Sequence, residues 1–256
     1  MKANVDKLTE ILVSLTKKQQ KQSLAKGSLN LLDRANAAEL AHAQDNILKD
    51  GVSAGRLWQI WQNNPQFLPD QACKLRRQIP ENHILRRVLA EHEMVLCFIN
   101  DLENANQSIQ KMFYGSSASS EIRQCGHIAG HLLAAAQHKE REEHLIMPLL
   151  REKGYGRILQ LIDLQHVEIN RANQRLYDVV RKVDRTEFSN FQKMLDELVR
   201  YLAPTMKIHI FVETSVLFPL ALEVVKDSKA WKRIKDFSDH MGYCGYDAVT
   251  LEEKNA

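Results

Sequence analysis

Glycine and proline are scarce in this chain, 10 and 6 among 256 residues, and the shortage argues against the turn-rich strands of a sheet protein. Cysteine is scarcer still. Cys73, Cys97, Cys125 and Cys244 form neither a C-x-x-C pair nor a disulfide-dense framework, which suits a reducing compartment, so a cytoplasmic protein is expected. Charge of one sign is missing as well: the formal net charge of +3 is spread over mixed-sign segments, and binding to nucleic acid or to an acidic membrane has little support. Only the run from Lys17 to Lys21 is locally basic. Without interleaved aromatics it reads as a solvated linker rather than a single-strand binding surface. No apolar run approaches the roughly 18 residues that a membrane-spanning helix needs, and the N-terminus lacks the apolar segment of a secretion signal. A soluble protein that stays out of membranes is the expectation.

What the chain does have is Leu, Ala, Glu, Lys and Gln, with 44% hydrophobic residues, a composition that favours helices and can bury a sizeable core. The length suits two domains, a small helical unit over 1–80 and a larger one over 81–256. Val5, Leu8, Leu12 and Leu15 stand at helical spacing, followed by a polar connector through Gln22. Asn36 with Glu39 three residues later is a capping-box pattern whose helix ends at Gly51. A further helix after Ser53 carries Leu57, Trp58, Ile60 and Trp61, with the two tryptophans as core, and stops at Asn63-Asn64-Pro65. The passage from Pro69 to Pro80 joins the two units, with room for a helical turn near Leu75.

From Asn82 onward four long helical patterns lie near 83–105, 120–151, 157–183 and 187–222. Gly115-Ser-Ser, Lys153-Gly-Tyr-Gly and Val183-Asp-Arg-Thr separate them. Short connections make neighbours antiparallel, which gives an all-α, up-down-up-down four-helix bundle. Pro204 would interrupt or kink the fourth helix.

Two of these helices repeat one pattern. His138-Lys-Glu-Arg-Glu142 precedes Leu145-Ile-Met-Pro148, and His209-Ile-Phe-Val-Glu213 precedes Val216-Leu-Phe-Pro219. Residues four apart on a helix sit about 40° apart around its axis, so each His and its Glu share a face. Ala135, Leu145 and Leu149 share that face with the first pair, and Leu202, Val216 and Leu220 with the second. An ionised Glu among such residues is costly unless a cation meets it. The other two helices each offer one inward imidazole. His92 lies on the stripe of Val88, Leu96 and Ile99, whereas His83 lies opposite, beside Arg86 and Arg87; His166 lies with Leu159, Ile162 and Ile169, and Asn170 is close. A lone buried His is more often a core residue than a ligand, but two H-x-x-x-E pairs with two inward histidines rarely coincide. The candidate ligands are therefore His92, His138, Glu142, His166, His209 and Glu213. Four imidazoles and two bridging carboxylates suit two iron ions, with manganese and zinc behind them. With an oxo or hydroxo bridge, about two of some twelve coordination positions stay open for dioxygen, nitric oxide or peroxide.

His127 and His131 fall near the inward face of the second helix and read as a polar layer in the bundle; His144 and His240 read as surface residues. Cys97 and Cys125 read as inert, buried thiols near the site helices.

These motifs resemble the hemerythrin HHE cation-binding family over about 83–245: Ala90-Glu-His92-Glu, the two H-x-x-x-E segments with their prolines, and Gln165-His166. The stretch from Asn36 to Val52 is similar to a helical domain often fused ahead of bacterial hemerythrin-like domains, and Met241-Gly-Tyr-Cys244 to the tail that follows them. The resemblance implies a non-haem di-iron centre. Oxygen-carrying members use a fifth His and an Asp with no clear equivalent here. The ligand count is closer to that of iron-sulfur cluster repair proteins, although their N-terminal di-cysteine motif is missing. The expected roles are a di-iron protein in stress response, sensing or cluster repair, a regulatory module without turnover, or an iron store. Its partner would be O2, NO or a peroxide, and a homodimer is a compatible assembly.

Overall fold

The computed structural model describes residues 2–17, 26–62 and 70–243, and its regular elements are all helical. The polar connector after Lys17, the Asn63-Asn64-Pro65 stop and Cys244 lie outside the described residues. Helices α1 (Lys2–Lys17), α2 (Lys26–Arg34), α3 (Ala37–Lys49), α4 (Ala54–Gln62) and α5 (Asp70–Gln78) come first. The capping box at α3 forms as expected: Asn36 accepts from Glu39 N–H at 2.8 Å, and Glu39 accepts from the Asn36 N–H at 3.3 Å. Gly51, at φ +88°, turns the chain beyond the helix end, a conformation other residues rarely adopt. The helix over 70–78 is longer than the single turn expected near Leu75.

Four rods then make the bundle. The first is α6 (Ile84–Ile109). The second runs through α7 (Ser120–Ala134), α8 (Ala136–Arg141) and α9 (Met147–Arg151), the third is α10 (Gly156–Arg181), and the fourth runs through α11 (Phe188–Val212) and α12 (Phe218–Val224). Each packs on its sequence neighbour, and α11 returns onto α6, which is the expected up-down-up-down order. Helix α11 continues through Pro204, so the anticipated interruption does not occur. A final helix, α13 (Ser228–Met241), was not anticipated; Asp227 caps it, and it lies against α6.

A π-turn interrupts the second and fourth rods, at Glu142–Ile146 and Glu213–Leu217. In each, the residue just before a proline donates five positions back, Met147 to the Glu142 carbonyl and Phe218 to that of Glu213. Pro148 and Pro219 lack an N–H, and their rings would clash with the carbonyl four residues earlier, so a wider turn ahead of them relieves the conflict. The extra residue also shifts the register. Ile146, Met147 and Leu150 are buried, whereas Leu145 and Leu149, expected on the inward face, are only half-buried.

The apolar core falls into two clusters. One, at the distal end of the bundle, includes Ile99, Leu132, Ile169, Leu195 and Leu202. The other joins the near end (Leu85, Met147, Ile162, Phe218) to Leu8, Leu12, Ile47 and Leu57 of the N-terminal helices. This near-end cluster takes residues from both sides of residue 80, Ile79 and Ile84 among them. Within residues 188–224 one stretch of 18 residues, with mean hydropathy 1.3, is long and apolar enough by composition to cross a membrane, but 78% of that stretch is buried inside the fold. Apolar residues there, interrupted by His209 and Glu213, form a core helix.

Candidate metal centre

All six expected ligands converge in the layer between the two clusters, and all are buried. His92, His138, Glu142 and Glu213 bring one donor atom each within 4.8 Å of one another, and so do His166, His209 and Glu213. The carboxylates span both groups. Glu142 sets Oε1 3.3 Å from His138 Nε2 and Oε2 3.4 Å from His166 Nε2. Glu213 sets Oε1 2.8 Å from His209 Nε2 and 3.1 Å from His166 Nε2, with Oε2 3.2 Å from His92 Nε2.

The residues fit a pair of cations. Both Glu142 oxygens, Glu213 Oε2 and His209 Nε2 are buried without a hydrogen-bond partner, although opposite groups lie close. These atoms lie within the two donor groups, each compact enough for its members to reach one ion. His92 Nε2 and His138 Nε2 stand 2.8 Å apart, close enough to share a proton or to bind one cation together. An unmet buried carboxylate is costly, and coordination removes that cost.

Each imidazole is fixed from behind through Nδ1, leaving Nε2 as the inward donor. His138 Nδ1 donates to Glu91 at 2.9 Å, His166 Nδ1 to Glu143 at 2.6 Å and His209 Nδ1 to Gln165 at 3.3 Å, while His92 Nδ1 faces the Thr214 hydroxyl at 3.2 Å. The arrangement is pseudo-symmetric. The residue before each lone histidine, Glu91 or Gln165, holds the histidine of an H-x-x-x-E pair. The residue after each ligand glutamate, Glu143 or Thr214, holds a lone histidine. Glu91 and Gln165 stood in the sequence motifs without this role and Glu143 and Thr214 were not singled out, yet their placement beside the candidate ligands is a signal that a two-fold pattern could have supplied.

Protonation follows the same contacts. Burial opposes charge on His138, but Glu142 and Glu91 outweigh it and raise its pKa to about 9; at His166, Glu142, Glu143 and Glu213 overcome burial and raise it to about 11. At His209 burial prevails and lowers the value. Burial would raise Glu213, yet His209, His166 and His92 hold it well below the usual carboxylate range. Against burial, His138 and Arg141 hold Glu91 at about 2. The pocket draws positive charge, whether protons or metal ions.

Other expectations are corrected. His127 is exposed and His131 half-buried, and they contact each other and Phe98 on the outside of the second rod, not a core layer. Asn170 is exposed. Asn173 is the buried amide of α10, and it donates to the Leu132 carbonyl at 2.9 Å. Cys97 is exposed rather than buried, whereas Cys125 is buried. His83 caps α6, as its exclusion from the ligands allows.

A helical bundle whose rods bring four imidazoles and two shared carboxylates to one buried layer is a metal-binding protein. Residues 83–221, more than half of the chain, match the hemerythrin HHE cation-binding domain, and the chain belongs to that family. No curated protein matches it.

Proposed function

We propose that this chain is a non-haem di-iron protein that binds or reacts with dioxygen, nitric oxide or a peroxide, in stress response, sensing or iron-sulfur cluster repair. The observation that carries the reading is the shared use of Glu142 and Glu213, each of which turns its carboxylate toward histidines of both halves. Nitrogen and carboxylate donors in this ratio suit iron ahead of zinc or manganese. Two bound irons would supply redox chemistry and open coordination positions. The chain's own part is to fix the imidazoles through Glu91, Thr214, Glu143 and Gln165, to set the spacing through two glutamates, and to exclude water with apolar clusters on either side.

Protein purified without oxygen is expected to hold about two irons per chain by elemental analysis, with an optical band that changes when air or nitric oxide is admitted. Zinc alone, or no spectral response, would remove the redox reading. Glu142→Ala and Glu213→Ala should each lose metal and melting temperature together, because binding energy at such a site is folding energy. Unchanged metal content in both variants would remove the site.

A sensing role is the second reading, favoured by one contact: α3 packs directly against the π-turn that begins with Glu213 and against α12 beyond it. A change at Glu213 would reach the N-terminal helices without turnover. Hydrogen exchange over α3 that differs between metal-loaded and metal-free chains would support it, and identical exchange would remove it.

A further inference from the structure

The supports behind the four imidazoles are unequal. On the His166 and His209 side they reach the surface, where Glu143 is 33% exposed and Gln165 half-buried. On the His92 and His138 side Glu91 and Thr214 are buried, and Glu91 is itself held from behind. Both its carboxylate oxygens accept from Arg141 Nη2, and Arg141, 2% exposed, sits on the same rod as His138 and Glu142. The other arm of that guanidinium, Nη1, donates to the Gly242 carbonyl at 2.6 Å. Tyr243 then closes over the group, its ring centroid 5.1 Å from the Arg141 guanidinium carbon and 4.9 Å from that of Arg87. Its hydroxyl donates to Asp239, which also lies 3.6 Å from Arg87.

From this chain of contacts we infer that the Gly242–Tyr243 turn is a positioning element of the metal centre, acting through Arg141 and Glu91 on His138. It secures the His92 and His138 position more firmly than the position opposite. Gly242 suits this place in the chain, because at φ +86° and ψ 176° it occupies a conformation essentially confined to glycine, and that conformation aims its carbonyl back at Arg141. Helix α13, which packs along α6 and buries Ala230 and Ile234, carries the turn there. An arginine buried against a carboxylate needs its remaining donors met, and the turn meets one of them. Without the turn, Arg141 and Glu91 would gain freedom, and His138 would lose a fixed orientation.

The inference rests on the two-metal reading, and its test separates the two. The full chain, loaded with ferrous iron without oxygen, is mixed with a chromogenic chelator, and iron release is followed in time. Two phases of one equivalent each are expected. In Gly242→Ala or Tyr243→Ala one equivalent should leave faster by about tenfold or more, with the other unchanged. Tyr243→Phe, which keeps the ring over Arg141, should behave like the parent. A second readout needs no metal: in the metal-free chain the His138 ring N–H, followed by nitrogen-15 NMR, should exchange faster with water in both alanine variants. Equal acceleration of both equivalents in step with a fall in melting temperature would overturn the inference, as would release and N–H exchange unaltered in the variants. A parent chain that holds no iron pair would instead overturn the two-metal reading, and the His138 signal would still decide the positioning role.

Discussion

Glu91 stands beside His92 in the sequence but supports His138, 47 positions on, and that crossing is set by neighbouring rods rather than by either helix alone. The same separation of neighbour from partner runs through the site: Gln165 precedes His166 and holds His209, and Thr214 follows Glu213 and holds His92. The six candidate ligands were legible because their roles follow from identity, spacing and inward position. Their supports are ordinary polar residues whose meaning depends on what faces them. The cysteines make the same point. Cys125 and Cys97 are both on bundle helices, yet only Cys125 is buried, where burial pushes its thiol up to about 12. Brief alkylation of the folded chain near pH 8, mapped by mass spectrometry, is therefore expected to modify Cys73 and Cys97 and to spare Cys125 until denaturant is added. Equal labelling of Cys125 and Cys97 would contradict this burial.

At the scale of elements, helix ends written in local residues were readable. The Asn36 and Glu39 box is an example, since both partners lie within one turn of the backbone they satisfy. Glu39 also accepts from Asn4 at 3.1 Å, so the cap ties α1 to α3. Asn36→Ala should lower stability by about 0.5–2 kcal/mol, measured by thermal or urea unfolding, with metal content kept. No change in melting temperature would mean that the cap contributes nothing. The π-turns were not readable. A helical wheel assumes a constant angle per residue, and in the second rod the inserted residue puts Ile146 and Leu150 in the core in place of Leu145 and Leu149; in the fourth, Val216 and Leu220 stay buried, with α3 packed against that stretch. The prolines that follow were visible in both motifs, and their clash with the preceding turn is the physical clue to the insertion.

For the molecule as a whole, the buried layer of charge between two apolar clusters makes stability depend on what fills it. In the metal-free chain, His138 and His166 have pKa values raised from 6.5 to about 9 and about 11. Raised values favour the folded state fully below pH 6.5, and that contribution is lost as pH rises through 9 toward 11. Glu91 has the opposite sign: lowered from 4.5 to about 2, it contributes above pH 4.5 and loses that contribution as pH falls toward 2. The metal-free chain should accordingly melt at lower temperature on both sides of the interval from pH 4.5 to 6.5. Metal binding near pH 7 should release protons, measurable in a pH-stat. A flat melting profile from pH 6.5 to 11 together with no proton release would refute this account of the pocket.

The sequence by itself determined the four bundle rods, their order and the six converging candidate ligands, because helical periodicity and i, i+4 spacing are local properties that short connections carry into an antiparallel bundle. It did not determine what surrounds that layer. The N-terminal helices share the near-end core, α13 reaches along α6, and the turn after it meets Arg141 across 101 positions of chain. Contacts of such separation have no periodic signature, so only the tertiary structure decided which polar residues hold the candidate ligands in place.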